Sequence, residues 1–237
     1  MNLRQRNSQG MVYDSTRSSI ISAFMSKVYG WMTLGIFITA LVSFEIGSNP
    51  ELVAKIFANH VFFWAVIIVQ FGAVVFLSAM INRISATSAA ITFLMYSALT
   101  GITLSMIFVM YTQQSIATAF ATTAIGFGGL SLFGYMTKRD LGPIGSFCIM
   151  GLFGLIGIML LSLFIPSLRG NSMQMAISIA GLVIFAGLTA YDTQRIKNLA
   201  NAPVNTLGQQ AVYGALVLYL DFLNLFLNLL RIMGDRK

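Results

Sequence analysis

Long apolar runs, separated by short polar breaks, make up nearly all of the chain after its first 25 or so residues. A helix that crosses a bilayer needs about 20 apolar residues, because each residue adds about 1.5 Å and the hydrocarbon core is about 30 Å thick. The pattern predicts seven transmembrane helices, at roughly Val28–Ile46, Val61–Ile81, Ala86–Tyr111, Ser115–Met136, Ile144–Ile165, Met173–Asp192 and Gln210–Met233.

The apolar runs indicate helices rather than the strands of a membrane β-barrel. Runs such as WAVIIVQFGAVVFLSAMI lack the alternation that barrel strands require, and lipid cannot satisfy an open strand's backbone amides. The connections between runs are short and carry turn residues, as in Gly142-Pro143 and Ala202-Pro203. We therefore predict a single all-α integral membrane domain over residues 26–237, preceded by a flexible cytoplasmic tail over residues 1–25.

The composition supports a membrane protein and excludes several other classes. Hydrophobic residues make up 57% of the chain and charged residues 9%, whereas soluble domains carry about 25% charged residues. The net charge of +7 is spread between the apolar runs and forms no basic patch, so nucleic-acid binding is not indicated. Cys148 is the only cysteine and His60 the only histidine, which leaves no disulfide or zinc spacing. We interpret Cys148 as a packing residue and His60 as an interfacial one.

The distribution of lysine and arginine predicts the orientation, because cytoplasmic loops are enriched in these residues. Nine lie in the N-terminal segment and the loops on its side of the membrane: Arg4, Arg6, Arg17, Lys27, Arg83, Lys138, Arg139, Arg195 and Lys197. Five lie on the other side: Lys55, Arg169, Arg231, Arg236 and Lys237. The N-terminus is therefore expected in the cytoplasm and, with seven full spans, the C-terminus outside. A re-entrant last segment would instead return the C-terminus to the cytoplasm.

Three acidic residues fall in or at the ends of the apolar runs, where ionisable side chains are costly and are functional candidates. Glu45 is near the outer end of the first span, and we interpret it as interfacial. Asp192 ends the run GLVIFAGLTAYD at the cytoplasmic side, where contact with Arg195 or Lys197 is an alternative to a functional role. Asp221 lies about a dozen residues into the seventh span, well below the surface at about 1.5 Å per residue.

Polar residues follow one face of the seventh span. Asp221, Asn224, Asn228 and Arg231 are spaced by three, four and three residues, which places them on one side of a helix. The same stripe extends back towards the start of the helix through Tyr213 and Gln210. We refer to this stripe, which comprises Gln210, Tyr213, Asp221, Asn224, Asn228 and Arg231, as the polar seam. We favour a seam that faces a wet cavity over one that only forms hydrogen bonds between packed helices.

Asp192 and Asp221 are expected to meet, because consecutive helices joined by a modest loop are usually neighbours. Two adjacent carboxylates cannot both ionise cheaply, so they share a proton and form a proton-sensitive or cation-sensitive element. Ca²⁺ prefers carboxylate and carbonyl oxygens, and Asp192, Asp221 and Asn224 are candidate contacts. Arg83, at the cytoplasmic end of the second span, is placed to pair with Asp192, although a topological role explains it equally well.

Five segments of the chain resemble the Bax-inhibitor-1 family, in its bacterial branch. They are VYGWMTLGI (28–36), MYSALTGITLS (95–105), GYMTKRDL (134–141), GLTAYDTQRIK (187–197) and GALVLYLDFLNLFLNLLRI (214–232). The resemblance extends over nearly everything from about Met25 onward. The two segments that contain an aspartate in an apolar helix are the most specific.

The resemblance implies a fold, a function and a location. The seventh helix is expected to be central and wrapped by the other six. The function is expected to be a pH-sensitive Ca²⁺ leak controlled by a pair of aspartates, which by motif are Asp192 and Asp221, with Arg83 as a latch. The location is expected to be the bacterial inner membrane, where the chain's surroundings are lipid, protons and Ca²⁺, without a bound cofactor.

Two other functions remain open from the sequence alone, and a proton-coupled solute carrier is a further possibility, although no pair of broken helices is evident. The first is a non-catalytic regulator that binds a quality-control protease, a stress factor or another membrane protein. The second is an intramembrane aspartyl protease, in which two aspartates sharing a proton activate water. Asp221 lies in LYLDF rather than in a Gly-x-Gly-Asp context, and the Pro-Ala-Leu element of that class is missing. We therefore expect that the protein is not an enzyme.

Overall fold

The computed structural model describes the backbone of residues 3–237 and the side chains of residues 17–203 and 205–237. This part of the chain forms nine α-helices and two short 3₁₀ segments, Pro166–Arg169 and Val204–Thr206. The helices are α1 (Leu3–Gly47), α2 (Pro50–Ala58), α3 (His60–Met80), α4 (Ala86–Leu104), α5 (Met106–Met110), α6 (Gln113–Met136), α7 (Gly142–Ser162), α8 (Asn171–Leu199) and α9 (Leu207–Met233).

Seven segments are long and apolar enough to cross a membrane, which confirms the predicted all-α fold. They are residues Arg17–Gly47 of α1, then α3, α4 together with α5, α6, α7, α8 and α9. The last of them, α9, has 27 residues, enough for a full span. The α1 helix extends back to Leu3, into the segment assigned from sequence to a tail. The boundary of a flexible tail at residue 25 stays a prediction, and residues 1 and 2 lie outside the described residues.

The α2 helix occupies a connection that the sequence analysis interpreted only as a turn. The Asn49 side chain accepts a hydrogen bond from the Leu52 amide at 3.1 Å, and Pro50 is the first helical residue. Asn49 therefore satisfies one of the amides left open at the helix start, and Pro50 has a backbone angle already suited to a helix. Asn59 caps α3 in the same way, accepting from the Phe62 amide at 3.0 Å.

The α9 helix is the most buried element, with 16 of its 27 residues buried. It packs against α1, α4, α6 and α8, whereas α3 packs mainly on α4 and α7 mainly on α8. The expectation that all six other spans wrap the seventh is therefore not confirmed. Two of the six form an outer layer, because their main contacts are with helices that themselves surround α9.

Tyr219 anchors α9 to α1 and α4. Its ring packs edge-on against Phe93 and Tyr96, with centroids 5.5 and 5.8 Å away. The Thr39 hydroxyl donates to the Ser97 carbonyl at 2.8 Å, so the Tyr219 hydroxyl, 2.6 Å from Thr39 Oγ1, donates to it. A buried tyrosine is stable where its ring packs and its hydroxyl finds a partner, and both conditions hold here.

The outer faces of the bundle are strongly apolar. Large side chains stand out from them, among them Phe164 at 81% exposure, Ile125 at 78% and Phe71 at 72%. Contiguous apolar surface of this kind is rare on monomeric soluble proteins, but it is the expected surface of a protein whose solvent is lipid. With the seven long apolar helices, it defines a multi-pass membrane protein.

Glycines allow α8 to pack closely against its neighbours. A side-chain carbon at Gly134 of α6 would overlap the backbone of Ala190 in α8. At Gly187 of α8 the same atom would lie 2.5 Å from the sulfur of Cys148 in α7, which is buried. Small residues permit such close helix approach in lipid, and Cys148 has the packing position expected for it.

Replacing Gly134 with valine is expected to separate α6 from α8. The new side chain meets fixed backbone at Ala190, so the helices must shift, at a cost of about 1–3 kcal/mol. The midpoint of thermal unfolding in detergent should fall for Gly134→Val. Gly129→Val on the same helix is the matched control, because nothing lies within 4 Å of its added carbon. Equal midpoints for both variants would contradict the close packing.

Candidate functional site

The polar seam of α9 faces a cavity of about 540 Å³ between α7, α8 and α9. Asp221, Asn224, Asn228 and Arg231 all line it, and the facing side of α8 contributes Asp192 and Arg195. The wall formed by α7 is apolar, with Ile149, Leu152, Leu155, Ile156 and Met159. We call this space the seam cavity. The helical spacing thus brings four of the six seam residues to one cavity, whereas Tyr213 and Gln210 do not line it.

The two acidic residues lie together at this cavity. Asp221 is 4% exposed and Asp192 9%, and both side chains line the seam cavity. Asp192 Oδ1 lies 3.9 Å from Arg195 Nη1, which makes Arg195 the ion partner that the sequence left open with Lys197. Asp221 Oδ2 is buried and has no hydrogen-bond partner among the described residues. The structure therefore places both aspartates on one cavity and leaves one oxygen of Asp221 unsatisfied, and direct pairing of the two carboxyl groups stays a prediction.

The two asparagines of the seam present acceptor oxygens. The Asn224 side-chain amide donates to the Leu220 carbonyl, and that of Asn228 to the Asn224 carbonyl, both at 2.8 Å. Because the N–H groups turn back to their own helix, the side-chain oxygens remain available at the cavity. Asn228 lies against Gly181 of α8, where an added carbon would come within 2.8 Å of its amide atoms. Gly181 thus leaves the room that Asn228 occupies.

Four charged side chains line the seam cavity: Asp192, Asp221, Arg195 and Arg231. Among the described residues, no group of three or more His, Cys, Asp or Glu side chains is placed to hold a metal ion. Two carboxylates and amide oxygens fall short of the 6–8 oxygens that a tight Ca²⁺ site supplies. The cavity can contact a cation without closing around it, and Ca²⁺ contact by the two aspartates stays a prediction.

The remaining predicted residues lie outside the seam cavity. Arg83 is exposed in the turn after α3 and forms no ion pair with Asp192 in this structure, so its role as a latch stays a prediction. Gln210, at the start of α9, donates to Asn82 Oδ1 at 2.7 Å and so ties this turn to α9. Tyr213 is half-buried and does not line the cavity.

A chain of hydroxyls on three helices was not predicted. Tyr29 Oη lies 2.6 Å from Ser131 Oγ, which lies 3.0 Å from Thr193 Oγ1. Thr193 follows Asp192 directly in α8. The series of hydroxyl groups therefore connects α1 and α6 to the helix that carries Asp192. Nothing in the spacing of these residues indicated the contact, because each partner lies on a different helix.

Seven spans, with two carboxyl groups at one cavity between helices, define a polytopic α-helical membrane protein with a polar site between its helices. The family model described as "Inhibitor of apoptosis-promoting Bax1" matches residues 21–237. The chain belongs to the Bax inhibitor-1 family, which confirms the resemblance stated from its motifs.

The relatives include the inner membrane protein YbhL of Escherichia coli K12, which is 45% identical over 221 residues. That match covers 92% of this chain and 93% of the relative. An uncharacterized protein of Borreliella burgdorferi is 44% identical over 221 residues, covering 92% of this chain and 94% of the relative. The family-model match over residues 21–237 includes the α8 and α9 segments on which the aspartates lie.

A cysteine at Asn224 should report whether water enters the seam cavity. In a chain whose buried Cys148 is replaced by alanine, Asn224→Cys is expected to react with a small water-soluble thiol reagent, because thiolates form only where water reaches. Leu218→Cys on the same helix is the control, since Leu218 is 0% exposed, and should stay unmodified. Mass spectrometry measures the modified fraction. An unreactive Asn224→Cys would mean a dry cavity.

Proposed function

We propose that the protein is a Ca²⁺-permeable leak of the bacterial inner membrane, and that the Asp192–Asp221 pair sets its response to pH. The observation that carries the proposal is that both carboxyl groups, from consecutive helices, line one cavity inside a seven-span bundle. Family membership and the inner membrane location of the relative YbhL support it.

The chemistry of the seam cavity suits the passage of a cation. A charge that leaves water needs oxygen partners, and the carboxyl groups together with Asn224 and Asn228 offer them along one wall. The facing α7 wall is apolar and offers none. The oxygens are too few to bind Ca²⁺ tightly, and conduction requires sites from which the ion can leave. Ca²⁺ is thus a substrate that passes the pair rather than a resident cofactor.

The pair supplies a reason for pH dependence. When both carboxyl groups ionise at close range they repel one another, and a single proton relieves that repulsion. Protonation also removes negative charge from the cavity wall and weakens the contact of Asp192 with Arg195. Arg195 and Arg231 are the other charged groups that line the cavity. One proton therefore changes both the charge that a cation meets and an ion pair at the end of α8.

Ca²⁺ flux into proteoliposomes should depend on pH in the wild-type protein and lose that dependence when Asp192→Asn and Asp221→Asn are combined, because no titrating carboxyl group then lines the cavity. Each single variant leaves one carboxyl group that titrates without repulsion from the other, so its pH profile should differ from that of the wild type. Removing a charge next to the ion is expected to change flux by about ten-fold or more at neutral pH, which corresponds to about 1.4 kcal/mol. A Ca²⁺-sensitive dye inside the vesicles measures the rate.

Glu45→Gln is the matched control for this experiment. Glu45 is an exposed acid near the C-terminal end of α1, and it does not line the seam cavity. The flux and the pH profile of Glu45→Gln should match those of the wild type. Flux that is unchanged when both Asp192 and Asp221 are neutralised would reject the proposed mechanism.

We also propose that Arg83 acts as a latch in a second conformation. The supporting contact is the hydrogen bond of its neighbour Asn82 to Gln210, which joins the Arg83 turn to the start of the helix that carries Asp221. A movement of α9 would therefore carry the turn with it. In this arrangement Arg83 pairs with ionised Asp192 and is released when that group takes up a proton.

The same variants separate the leak from the other functions. A regulator that acts by binding another membrane protein should keep its cellular effect in Asp192→Asn and Asp221→Asn, since the outer faces of the bundle are unchanged. An aspartyl protease would lose peptide cleavage in either variant, because a dyad needs both carboxyl groups. We propose that the protein is not an enzyme, so purified wild type is expected to cleave no peptide substrate.

The N-terminus is proposed to lie in the cytoplasm and the C-terminus outside. Nine of the 14 basic residues lie on the N-terminal side, and seven spans place the two ends on opposite sides. Alkaline phosphatase fused after Lys237 is expected to be active in cells, and a fluorescent protein fused at the same position is expected not to fluoresce. Fluorescence from the second fusion, together with an inactive phosphatase in the first, would contradict this topology.

A further inference from the structure

A second cavity, of about 490 Å³, lies at the end of the bundle opposite Asp192. Its lining is Met110, Tyr111, Asn171, Gln174, Met175, Ser178, Arg231, Ile232, Gly234 and Arg236. We call it the C-terminal cavity. Asn171 and Asp192 lie 21 residues apart on α8, so about 30 Å separates these two residues along the helix. The charge pattern of the chain places the C-terminal cavity on the extracytoplasmic side.

The last residues of the chain are held in place beside this cavity. The Thr112 amide donates to the Asp235 carbonyl at 3.2 Å, and the Lys237 amide to the Met110 carbonyl at 3.0 Å. The Asp235 amide donates to Ser115 Oγ at 2.9 Å. These contacts fix the backbone on both sides of Arg236 and so fix the point from which its side chain extends.

Two arginines converge on the C-terminal cavity, and no acidic residue lines it. Arg231 has no ion-pair or hydrogen-bond partner among the described residues, and the Arg236 guanidinium lies over the Tyr111 ring, 5.9 Å from its centroid. Asp235 lies between Gly234 and Arg236 in sequence but is not part of the lining. The cavity therefore carries positive charge that no neighbouring carboxylate neutralises.

The other basic residues at this end already have partners. Lys55 Nζ lies 2.8 Å from Glu51 Oε1, and Lys237 Nζ donates to the Phe108 carbonyl at 2.7 Å. Arg169 donates to the carbonyls of residues 162 and 163, both at 2.6 Å. The two arginines of the C-terminal cavity are thus distinct from the remaining cations of this surface in being available to a ligand.

Neutral donors complete the lining. Asn171 and Gln174, in the first turn of α8, line the cavity, and each has a side-chain amide that can donate. This helix begins after Gly170 with no side chain capping its first amides. Open amides at a helix start add partial positive charge to that of the arginines. All of these groups favour an anion with several acceptor oxygens.

We propose that the C-terminal cavity binds a phosphoryl anion, the group shared by phospholipid headgroups and inorganic phosphate. Guanidinium groups match phosphate oxygens in pairs of parallel hydrogen bonds, which makes two arginines a phosphate-binding arrangement. The volume lies within the range of about 300–1,000 Å³ typical of ligand pockets. The position at the end of a transmembrane bundle gives a lipid headgroup direct access to it.

A bound anion would also act on the seam cavity, because Arg231 lines both cavities. Neutralising Arg231 removes a positive charge from one end of the space that contains Asp221. This consequence for flux rests on the proposed leak, whereas the binding itself does not.

Binding is tested on the purified full-length protein with three probes. Phosphatidylglycerol and diacylglycerol, which lacks the phosphoryl group, are titrated in native mass spectrometry, and inorganic phosphate is titrated by calorimetry. The wild type should bind a phosphoryl probe and not diacylglycerol. Arg231→Gln and Arg236→Gln should each weaken that binding about ten-fold, the expected loss for a charge-assisted hydrogen bond.

Lys55→Gln is the control, because it removes the same charge from an exposed position at the same end and should bind like the wild type. Arg236 is exposed and lies beyond the end of α9, so its side chain can change without disturbing the packed bundle. Phosphatidylglycerol binding alone identifies a lipid headgroup, and binding of inorganic phosphate identifies a site open to the free anion. Phosphoryl binding that is absent, or unchanged within about two-fold in both arginine variants, overturns the proposal whatever the flux assays give.

Discussion

The carboxyl group of Asp221 lies on the most buried helix of the bundle, and the neighbouring helices must accommodate it. Asp221 is 4% exposed, and one of its oxygens has no hydrogen-bond partner among the described residues. An ionised group in that position is costly unless water, a proton or a cation reaches it. The α8 helix provides the second acid, and its Gly181 leaves room for Asn228 beside the cavity. Tyr219 holds α9 in register from the opposite face.

Charge is ordered along the groove between α8 and α9. Arg195 lies at one end, Asp192 and Asp221 follow, and Arg231 lies ten residues beyond Asp221, about 15 Å further along the helix. A cation that moves along this line meets positive charge, then negative charge, then positive charge. The acids lower the energy of the ion in the middle, and the arginines raise it at both ends. For the leak proposed above, such a profile corresponds to slow passage rather than fast conduction.

The sequence predicted the spans because the apolar runs are long, and it predicted the seam because spacings of three and four fix a helix face. Asp192 and Asp221 were predicted to meet from the adjacency of their helices alone. The α2 helix was missed although Asn49-Pro50 marks its start. The contact of Thr39 with Tyr219 joins residues 180 apart, and no periodic pattern records such a contact. The outer position of α7 was also missed, because its run is as apolar as that of a central helix.

The α7 helix packs mainly on α8 and not extensively on α9, although both α7 and α9 line the seam cavity. The helices therefore do not close this space on every side. In a bilayer, fatty-acyl chains occupy the side that the protein leaves open, so the surrounding lipid forms part of the wall of the cavity that Asp221 lines. Chain length and unsaturation then affect how readily water replaces hydrocarbon there. The surroundings of Asp221 therefore differ between the protein in a detergent micelle and the protein in a native membrane.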